Sequence, residues 1–404
     1  MKKIGQAVIL AGGLGTRLMP FTEEHPKPMY RFQNKPFIHY LIDQVKSFGM
    51  NEVILLLGYK ADEIIQYIND HEFGITVKYN VTPTEYDTGN RLLAVREMLQ
   101  DEFMLMYCDN YCPINFEQLC ADFYANDADI QITAYANKDS YTRDNLSIDM
   151  DGRVVCYDKK RTQKNLKCVD IGYALIKKKT LEILPQEQND YINYESLVYP
   201  VIVENQRMYA TITEHRYYSI GSWERIKLTE QFFEGTKTIF LDRDGTLNVR
   251  PPKACYIEKP EEFRWLDGAM EAVKLLKEQG YRLILVSNQP GIARGNLTKE
   301  TLHHIHEKMQ KDLKEQTGYV IDAIYYCPHN WDEGCDCRKP KPGMLYQAQK
   351  DFSLNLFNCI LIGDDERDIQ AGLAAGCTCY QVTDDNSLLD IVKDRIIATI
   401  DQDK

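Results

Sequence analysis

Between Phe240 and Asn248 the chain reads F-L-D-R-D-G-T-L-N, and no other stretch constrains its fold as tightly. Thr238, Ile239, Phe240 and Leu241 form a short apolar run that reads as a buried strand. It ends in Asp242 and Asp244, one residue apart, and then Gly245 and Thr246. Side chains at i and i+2 share one face of a strand, so both carboxylates can enter one site. Carboxylates that close repel unless a proton or a cation lies between them. Mg2+ suits such a place, because it binds through few carboxylates and keeps waters and phosphate oxygens. A polar loop after a strand would also carry D-x-D. The longer string D-x-D-G-T-L favours a site. It begins past residue 240 of a 404-residue chain, so another unit must fill the first half.

That length exceeds one ordinary core and calls for at least two domains. Short apolar strands alternate with amphipathic helical stretches, which predicts an α/β fold. In the first half, strands are expected at 7–10, 53–57 and 103–107, and helices at 36–48 and 61–68. Near residue 235 a helix closes at Gln231-Phe232-Phe233, and Glu234-Gly235-Thr236 reads as a linker. The alternation restarts with strands at 238–241, 282–286, 320–326 and 359–362, and helices at 268–279, 298–316 and 366–375. Domains of 1–233 and 236–404 follow, carrying different motifs and no internal repeat. No apolar run is long enough to span a bilayer, and Met1-Lys2-Lys3 leads into a strand rather than a signal peptide. A cytoplasmic protein is expected, whose twelve cysteines serve as thiols or metal ligands. The net charge of −12 argues against nucleic acid or an anionic membrane as partner, while anionic small substrates stay open. The oligomeric state is open too, a homo-oligomer included.

After the first strand comes Leu10-Ala11-Gly12-Gly13-Leu14-Gly15-Thr16-Arg17-Leu18. Such glycines let backbone N–H groups approach a ligand, and phosphate is the usual guest. A plain structural turn would use the same glycines. Arg17 adds a fork-shaped cation, and Pro26-Lys27-Pro28 sets a lysine on a stiff backbone. The combined string G-G-x-G-T-R-L, P-K-P and Tyr107-Cys108-Asp109-Asn110 resembles the sugar-nucleotide pyrophosphorylases over residues 1 to about 230. The resemblance implies a mixed, Rossmann-like sheet and nucleotidyl transfer to a sugar 1-phosphate. It implies that Leu10, Ala11, Gly12, Gly13, Gly15, Thr16, Thr88 and Gly89 bind nucleotide, and that Arg17 and Lys27 grip phosphates. Asp109 would hold Mg2+, and Lys159, Asp170 and Gly172 the sugar phosphate. Such chemistry needs charge neutralisation and alignment rather than a base. One departure stands out: the late D-I-G string has Ser219 in Tyr218-Ser219-Ile220-Gly221. Metal binding then rests on Asp109 alone or recruits another carboxylate, and binding without turnover stays open.

Residues 236 to about 385 resemble the haloacid dehalogenase superfamily of phosphohydrolases. Its four motifs match Asp242-x-Asp244, Ser287-Asn288-Gln289, Arg338-Lys339-Pro340 and Gly363-Asp364-Asp365. The resemblance implies a parallel α/β sheet, Asp242 as nucleophile and Asp244 as acid and base. Ser287 and Lys339 would neutralise the phosphoryl group, with Asn288 and Arg338 as substrate contacts. Asp242, Asp244 and Asp364 would form the Mg2+ site with a backbone carbonyl. Asp365 and Asp368 are candidates to support the metal from outside, though Asp368 reads first as a solvated helix start. Cys327, His329, Cys335 and Cys337, as C-x-H-x5-C-x-C, make a tetrahedral structural Zn2+ set near Lys339. Chance clustering would also bring thiols together, as at Cys377 and Cys379. This zinc loop resembles the heptose bisphosphate and histidinol phosphate phosphatases, and Gly291-Ile292-Ala293-Arg294-Gly295 leans toward the heptose type. The partner domain then implies a bifunctional enzyme taking a sugar bisphosphate and an NTP to a nucleotide-sugar. By family analogy these are D-glycero-D-manno-heptose 1,7-bisphosphate and GTP. A CDP-linked product, or a nucleotide-sensing first domain that regulates the phosphatase, are the alternatives.

Overall fold

The structure, a computed structural model, describes residues 4–185, 191–252 and 255–398. The chain divides into two compact units, Met1–Glu234 and Gly235–Lys404.

The first unit is built on seven strands: β1 (Gln6–Ala11), β2 (Glu52–Leu57), β3 (Thr76–Val81), β4 (Glu102–Tyr107), β5 (Ile130–Tyr135), β6 (Val169–Lys177) and β7 (Met208–Thr213). Their order is β7-β5-β6-β4-β1-β2-β3. β6 runs antiparallel to both neighbours, while the pairs around β1 are parallel. Every residue of β1 is buried. Ala7, Ile9 and Ala11 pack into one apolar layer, and Val8 and Leu10 into the layer on the opposite face. That two-sided burial is why the strand reads as a continuous apolar run. The helix Phe37–Ser47 begins after Pro36, whose extended conformation makes it the cap rather than the first helical residue. Its buried stripe is Phe37, Ile38, Leu41, Ile42 and Val45, at helical spacing.

The second unit has five parallel strands: β8 (Thr238–Leu241), β9 (Arg282–Asn288), β10 (Ala323–Cys327), β11 (Ile360–Gly363) and β12 (Thr378–Gln381), in the order β10-β9-β8-β11-β12. Ile239 and Leu241 face one layer of the core and Phe240 the other. β10 starts later than the 320 expected. The Gln310 side chain bonds both the N–H and the C=O of Ile321, at 2.9 and 2.8 Å, and so takes the backbone groups a longer strand would use. The helix Lys299–Thr317 is capped by the Thr298 hydroxyl and stopped by Gly318 at φ 81°. Each sheet reverses its chain order beside its first strand, at β1/β4 and at β8/β11. Open α/β sheets place ligands at the carboxyl ends of strands flanking such a reversal.

Candidate active sites

In the second unit the reversal brings Asp242, just past β8, beside Asp364, just past β11. Lys339, on the loop after β10, is only 2 % exposed and inserts between carboxylates. Its Nζ donates to Asp242 Oδ1 at 2.6 Å and to the Val286 carbonyl at 2.7 Å, and pairs with Asp368 Oδ1 at 2.5 Å. Burial opposes the Lys339 charge, but Asp242 and Asp368 outweigh it and hold the ammonium above its ordinary pKa. Burial pushes the Asp242 carboxyl up, and Lys339 opposes that rise. Asp368 is therefore not a solvated helix start. It is buried, because as the N3 residue of a capping box it turns back to the Asp365 N–H and meets Lys339 on the way.

Carboxylate oxygens of Asp242, Asp364 and Asp368 lie within 4.8 Å of one another. Asp364 Oδ1 is buried without a hydrogen-bond partner, and burial raises this carboxyl to about 6. An oxygen-only donor set with an unpartnered carboxylate oxygen fits Mg2+. Gly245 has φ 95°, and a Cβ there would lie 2.0 Å from Asp364 Oδ2, so glycine keeps that carboxylate in place. The carboxylate of Asp244, expected beside the metal, is outside this group, and Asp368 stands there instead. Its oxygens accept from Arg243 Nη2 at 2.8 and 3.0 Å, Asn248 Nδ2 at 3.0 Å and Gln289 Nε2 at 3.1 Å. These donors outweigh burial and hold Asp244 below the usual carboxylate range. Gln289 also donates to Ser287 Oγ at 2.9 Å, tying the second motif to the first. Arg243 is itself buried and abuts His306 Nε2 at 3.4 Å. A cleft of about 490 Å3 opens over Asp242, Asp244, Ser287 and Lys339, with Arg250 and Arg338 also lining it. Asn288 lines it too, but its amide is engaged by the Lys339 backbone in both directions, at 3.0 and 3.1 Å. Sequence reasoning placed Gln289 in the second motif without a role and missed Arg243, His306 and Arg250. Only Arg243 carried a signal, as a charged residue enclosed in D-x-D.

Beside this cleft, Cys327 Sγ is 3.6 Å from both His329 Nδ1 and Cys335 Sγ, and His329 Nδ1 is 3.3 Å from Cys337 Sγ. All four ligand atoms lie within 4.8 Å of one another, a donor set that fits tetrahedral Zn2+. The loop closes tightly behind it. Gly343 N–H donates to the Asp336 carbonyl at 3.1 Å, and a Cβ at 343 would lie 2.3 Å from that oxygen. Lys339 sits inside this closed loop. Cys377 is buried and Cys379 Sγ faces the Ile369 carbonyl, both among core residues.

The first unit builds its site differently. Leu10 and Ala11 are buried at the end of β1, Gly12 is buried, and Gly13, Thr16 and Arg17 are exposed. Gly15 has φ 64° and packs on Lys27 and Thr22. Lys27 Nζ meets Asp109 Oδ2 at 2.9 Å. Burial would raise Asp109, but Lys27 and then Arg17 hold it below the usual carboxylate range. Beneath the loop lies a residue the sequence did not reveal, Arg91, which is 4 % exposed. Its guanidinium donates to the Gly12 carbonyl at 3.1 Å, the Leu57 carbonyl at 2.7 Å, the Pro83 carbonyl at 3.2 Å and the Thr82 hydroxyl. One side chain thus joins the ends of β1, β2 and β3. A Cβ on Gly12 would fall 2.3 Å from it.

Thr88 and Gly89 open the helix Thr88–Ala94, capped by Asp87 and Asn90. Gly89 lets Ile192 approach to 2.7 Å between N and O. Thr88 Oγ1 donates to Glu195 Oε2 at 3.3 Å, and Lys159 Nζ reaches the same oxygen at 3.3 Å. Glu195 is 2 % exposed, and burial raises it to about 7. Asp170 accepts from Gly172 N–H at 2.9 Å, and burial raises it to about 6. Gly172 sits at φ 85° against Tyr107. Thus Lys159 joins Thr88 through Glu195, while Asp170 and Gly172 lie together on β6. Ser219 pairs with Asn110 in a two-stranded ladder, and Ile220 N–H bonds the Asp109 carbonyl at 3.0 Å. Its hydroxyl accepts from Gly221 N–H at 3.0 Å.

The nucleotidyl transferase family model matches residues 6–227, and the haloacid dehalogenase-like hydrolase model matches residues 192–376. The D-glycero-beta-D-manno-heptose-1,7-bisphosphate 7-phosphatase of Haemophilus ducreyi is 41% identical over 148 residues, covering 35% of this chain and 80% of the relative. That of Haemophilus influenzae is 43% identical over 145 residues, covering 34% and 77%. The crystal structure of HddC from Yersinia pseudotuberculosis complexed with GMP-PN shares 26% identity at a TM-score of 0.50, covering 56% of this chain and 99% of that one. The chain belongs to the nucleotidyl transferase family over its first unit and to the haloacid dehalogenase-like hydrolases over its second, and is a bifunctional enzyme.

Proposed function

We propose that the second unit removes the 7-phosphate of D-glycero-D-manno-heptose 1,7-bisphosphate and the first joins the resulting 1-phosphate to GTP, releasing pyrophosphate. The observation that carries this reading is the fusion itself: a unit 41% identical to a heptose bisphosphate phosphatase shares a chain with a nucleotidyl transferase. A phosphatase that leaves the anomeric phosphate makes what such a transferase consumes. The likeness to a guanine-nucleotide complex supports GTP.

In the second unit an Asp242 oxygen attacks the phosphorus of the 7-phosphate, and the sugar oxygen leaves with a proton from Asp244, which must first take that proton from solvent because its hydrogen-bond donors favour the carboxylate. Asp244 then takes a proton from water as it attacks the aspartyl phosphate, releasing phosphate and restoring Asp242. Lys339, Ser287 and Arg338 offset phosphoryl charge, and Asn288 holds the Lys339 loop. Mg2+ held by Asp242, Asp364 and Asp368 would neutralise charge between two anions. Zn2+ on Cys327, His329, Cys335 and Cys337 would fix the loop that carries Lys339. In the first unit the sugar phosphate oxygen attacks the α-phosphorus of GTP, and pyrophosphate leaves. The loop from Leu10 to Thr16, with Thr88 and Gly89, would seat the nucleotide, and Arg17 and Lys27 its phosphates. Lys159, Asp170 and Gly172 would hold the sugar phosphate. Asp109 would hold Mg2+, which would neutralise charge on the triphosphate, and Ser219 offers no second carboxylate. Among the described residues no helix is long and apolar enough to cross a membrane.

The test is a pyrophosphate-release screen of GTP, ATP, CTP and UTP against both anomers of the heptose 1-phosphate and a panel of sugar and polyol phosphates. GTP with a heptose 1-phosphate should be fastest. A preference for CTP and a polyol phosphate would overturn the assignment.

A further inference from the structure

We infer that Arg91 is a positioning residue of the nucleotide site, holding the Gly12–Gly13 peptide so that its N–H faces a phosphate of the bound nucleotide. This rests on the reading above that the loop from Leu10 to Thr16 seats the nucleotide, and goes beyond it to a residue outside the motifs. Arg91 is charged and buried, and neither reaction as written uses it. Among the described residues no carboxylate lies within ion-pair distance of it, and Asp87 and Glu85 favour its charge only from farther off. A cation buried without a counterion is costly unless its donors are met. Here they are met by the backbone of the strand ends, which they hold in return.

Nη2 of Arg91 donates to the Gly12 carbonyl at 3.1 Å and the Pro83 carbonyl at 3.2 Å, and Nη1 to the Leu57 carbonyl at 2.7 Å and the Thr82 hydroxyl. A Cβ on Gly58 would lie 2.7 Å from both Nη atoms, and one on Gly12 would lie 2.3 Å from Nη1, so two strand ends carry glycine where the guanidinium passes. The Gly12 carbonyl accepts a second bond, from Tyr59 N–H at 3.2 Å. Both lone pairs of that oxygen are then engaged, which fixes the peptide plane. The bond between Gly12 and Gly13 is trans, and across a trans peptide the C=O and N–H point in opposite directions. With the carbonyl held inward, the Gly13 N–H faces away from Arg91. Gly13 is exposed, a Cβ there would meet nothing within 4 Å, and its N–H has no protein acceptor among the described residues. An outward N–H with open space above it suits a phosphate oxygen.

The experiment uses the full chain with Arg91→Lys and Thr82→Val, assayed for pyrophosphate release with the fastest NTP and sugar phosphate pair of the screen above. Arg91→Lys keeps the charge and loses the fork. Its KM for the NTP should rise about tenfold, while its KM for the sugar phosphate stays within about twofold. Thr82→Val, which removes one acceptor of Arg91 and leaves the fork, should show the same pattern at about threefold. A merely structural role would lower kcat through lost folded enzyme with both KM values unchanged, or raise both KM values together. Either result would overturn the inference. Wild type decides the matter if Arg91→Lys does not fold. In chain carrying isotope-labelled glycine, the Gly13 amide should exchange freely without nucleotide and about tenfold more slowly with the NTP bound. A Gly13 amide already protected without nucleotide, or left unprotected by it, would overturn the inference as well. Wild-type chain that releases no pyrophosphate with any of the four NTPs would instead sink the reading of the loop, a result visible before any variant is made.

Discussion

The two units both handle phosphoryl groups, and each fastens a buried lysine to an aspartate, Lys27 to Asp109 and Lys339 to Asp242, but they use their arginines differently. In the first, Arg17 is exposed and the buried Arg91 spends its donors on neutral oxygens, the carbonyls of Gly12, Leu57 and Pro83. In the second, Lys339, Arg243 and Arg367 are each fastened to a carboxylate. The difference follows from where the nucleophile comes from. A transferase receives an anionic nucleophile with its substrate and needs to supply only positive charge. A phosphatase that attacks with its own carboxylate must carry that anion in a buried site, and each carboxylate needs a cation beside it. The comparison predicts that the sites fail separately.

The largest expected effect is at Asp242. Asp242→Asn should lower phosphate release by about a thousandfold or more, as loss of a covalent nucleophile does. Pyrophosphate release from GTP and a heptose 1-phosphate should stay within about twofold. Loss of both activities would break the separation. The mirror experiment is Lys27→Ala, which should lower pyrophosphate release by about a hundredfold while phosphate release is kept. An unchanged rate would remove Lys27 from the transfer site. Next is the zinc set. Purified chain should contain one zinc, and Cys335→Ser should lose it with about a tenfold drop in phosphatase kcat/KM, because Lys339 sits on that loop. Elemental analysis that finds no zinc would refute the metal, whatever the activity.

A smaller effect is the pH response of one buried group in each unit, Glu195 and His306, whose contributions have opposite sign. Burial raises Glu195 to about 7 from an ordinary 4.5, so the folded first unit keeps a proton that the unfolded chain has released. Its stability should fall as pH rises from about 4.5 to about 7. Burial, and then Arg243, lowers His306 to about 3 from 6.5, so the folded second unit refuses a proton that the unfolded chain accepts. The His306 contribution should be lost as pH drops from about 6.5 toward 3, while Asp364, raised to about 6, contributes with the opposite sign. Calorimetry of Glu195→Gln and His306→Gln should show each slope flattened in its own range, and a slope unchanged by either variant would show that other groups set it.

Much of this was legible in the sequence because its motifs join a local backbone need to a chemical one. G-G-x-G-T-R-L marks a loop that backbone geometry demands, and D-x-D-G-T a strand end where both carboxylates face one way. The strands Ala7–Leu10 and Thr238–Leu241 were legible because burial on both faces makes them plainly apolar. What stayed hidden depends on elements far apart in sequence. Arg91 looks like any surface arginine of an amphipathic helix until three strand ends converge on it. Asp368 looks like a solvated first-turn acid, a frequent choice at helix starts, and only Lys339 arriving from another loop makes it a buried partner. β3 was hidden because it is an edge strand with largely exposed residues. β6 was hidden because an irregular register between Asp170 and Ala174 interrupts its pairing with β5 around Gly172.

The most direct test of the account follows one substrate through both sites. Full-length enzyme given heptose 1,7-bisphosphate, GTP and Mg2+ should release phosphate and pyrophosphate and form GDP-heptose. With Asp242→Asn no GDP-heptose should form from the bisphosphate, and supplying heptose 1-phosphate should restore it. GDP-heptose made by Asp242→Asn directly from the bisphosphate, or no product from the 1-phosphate, would contradict the proposed order of the two reactions.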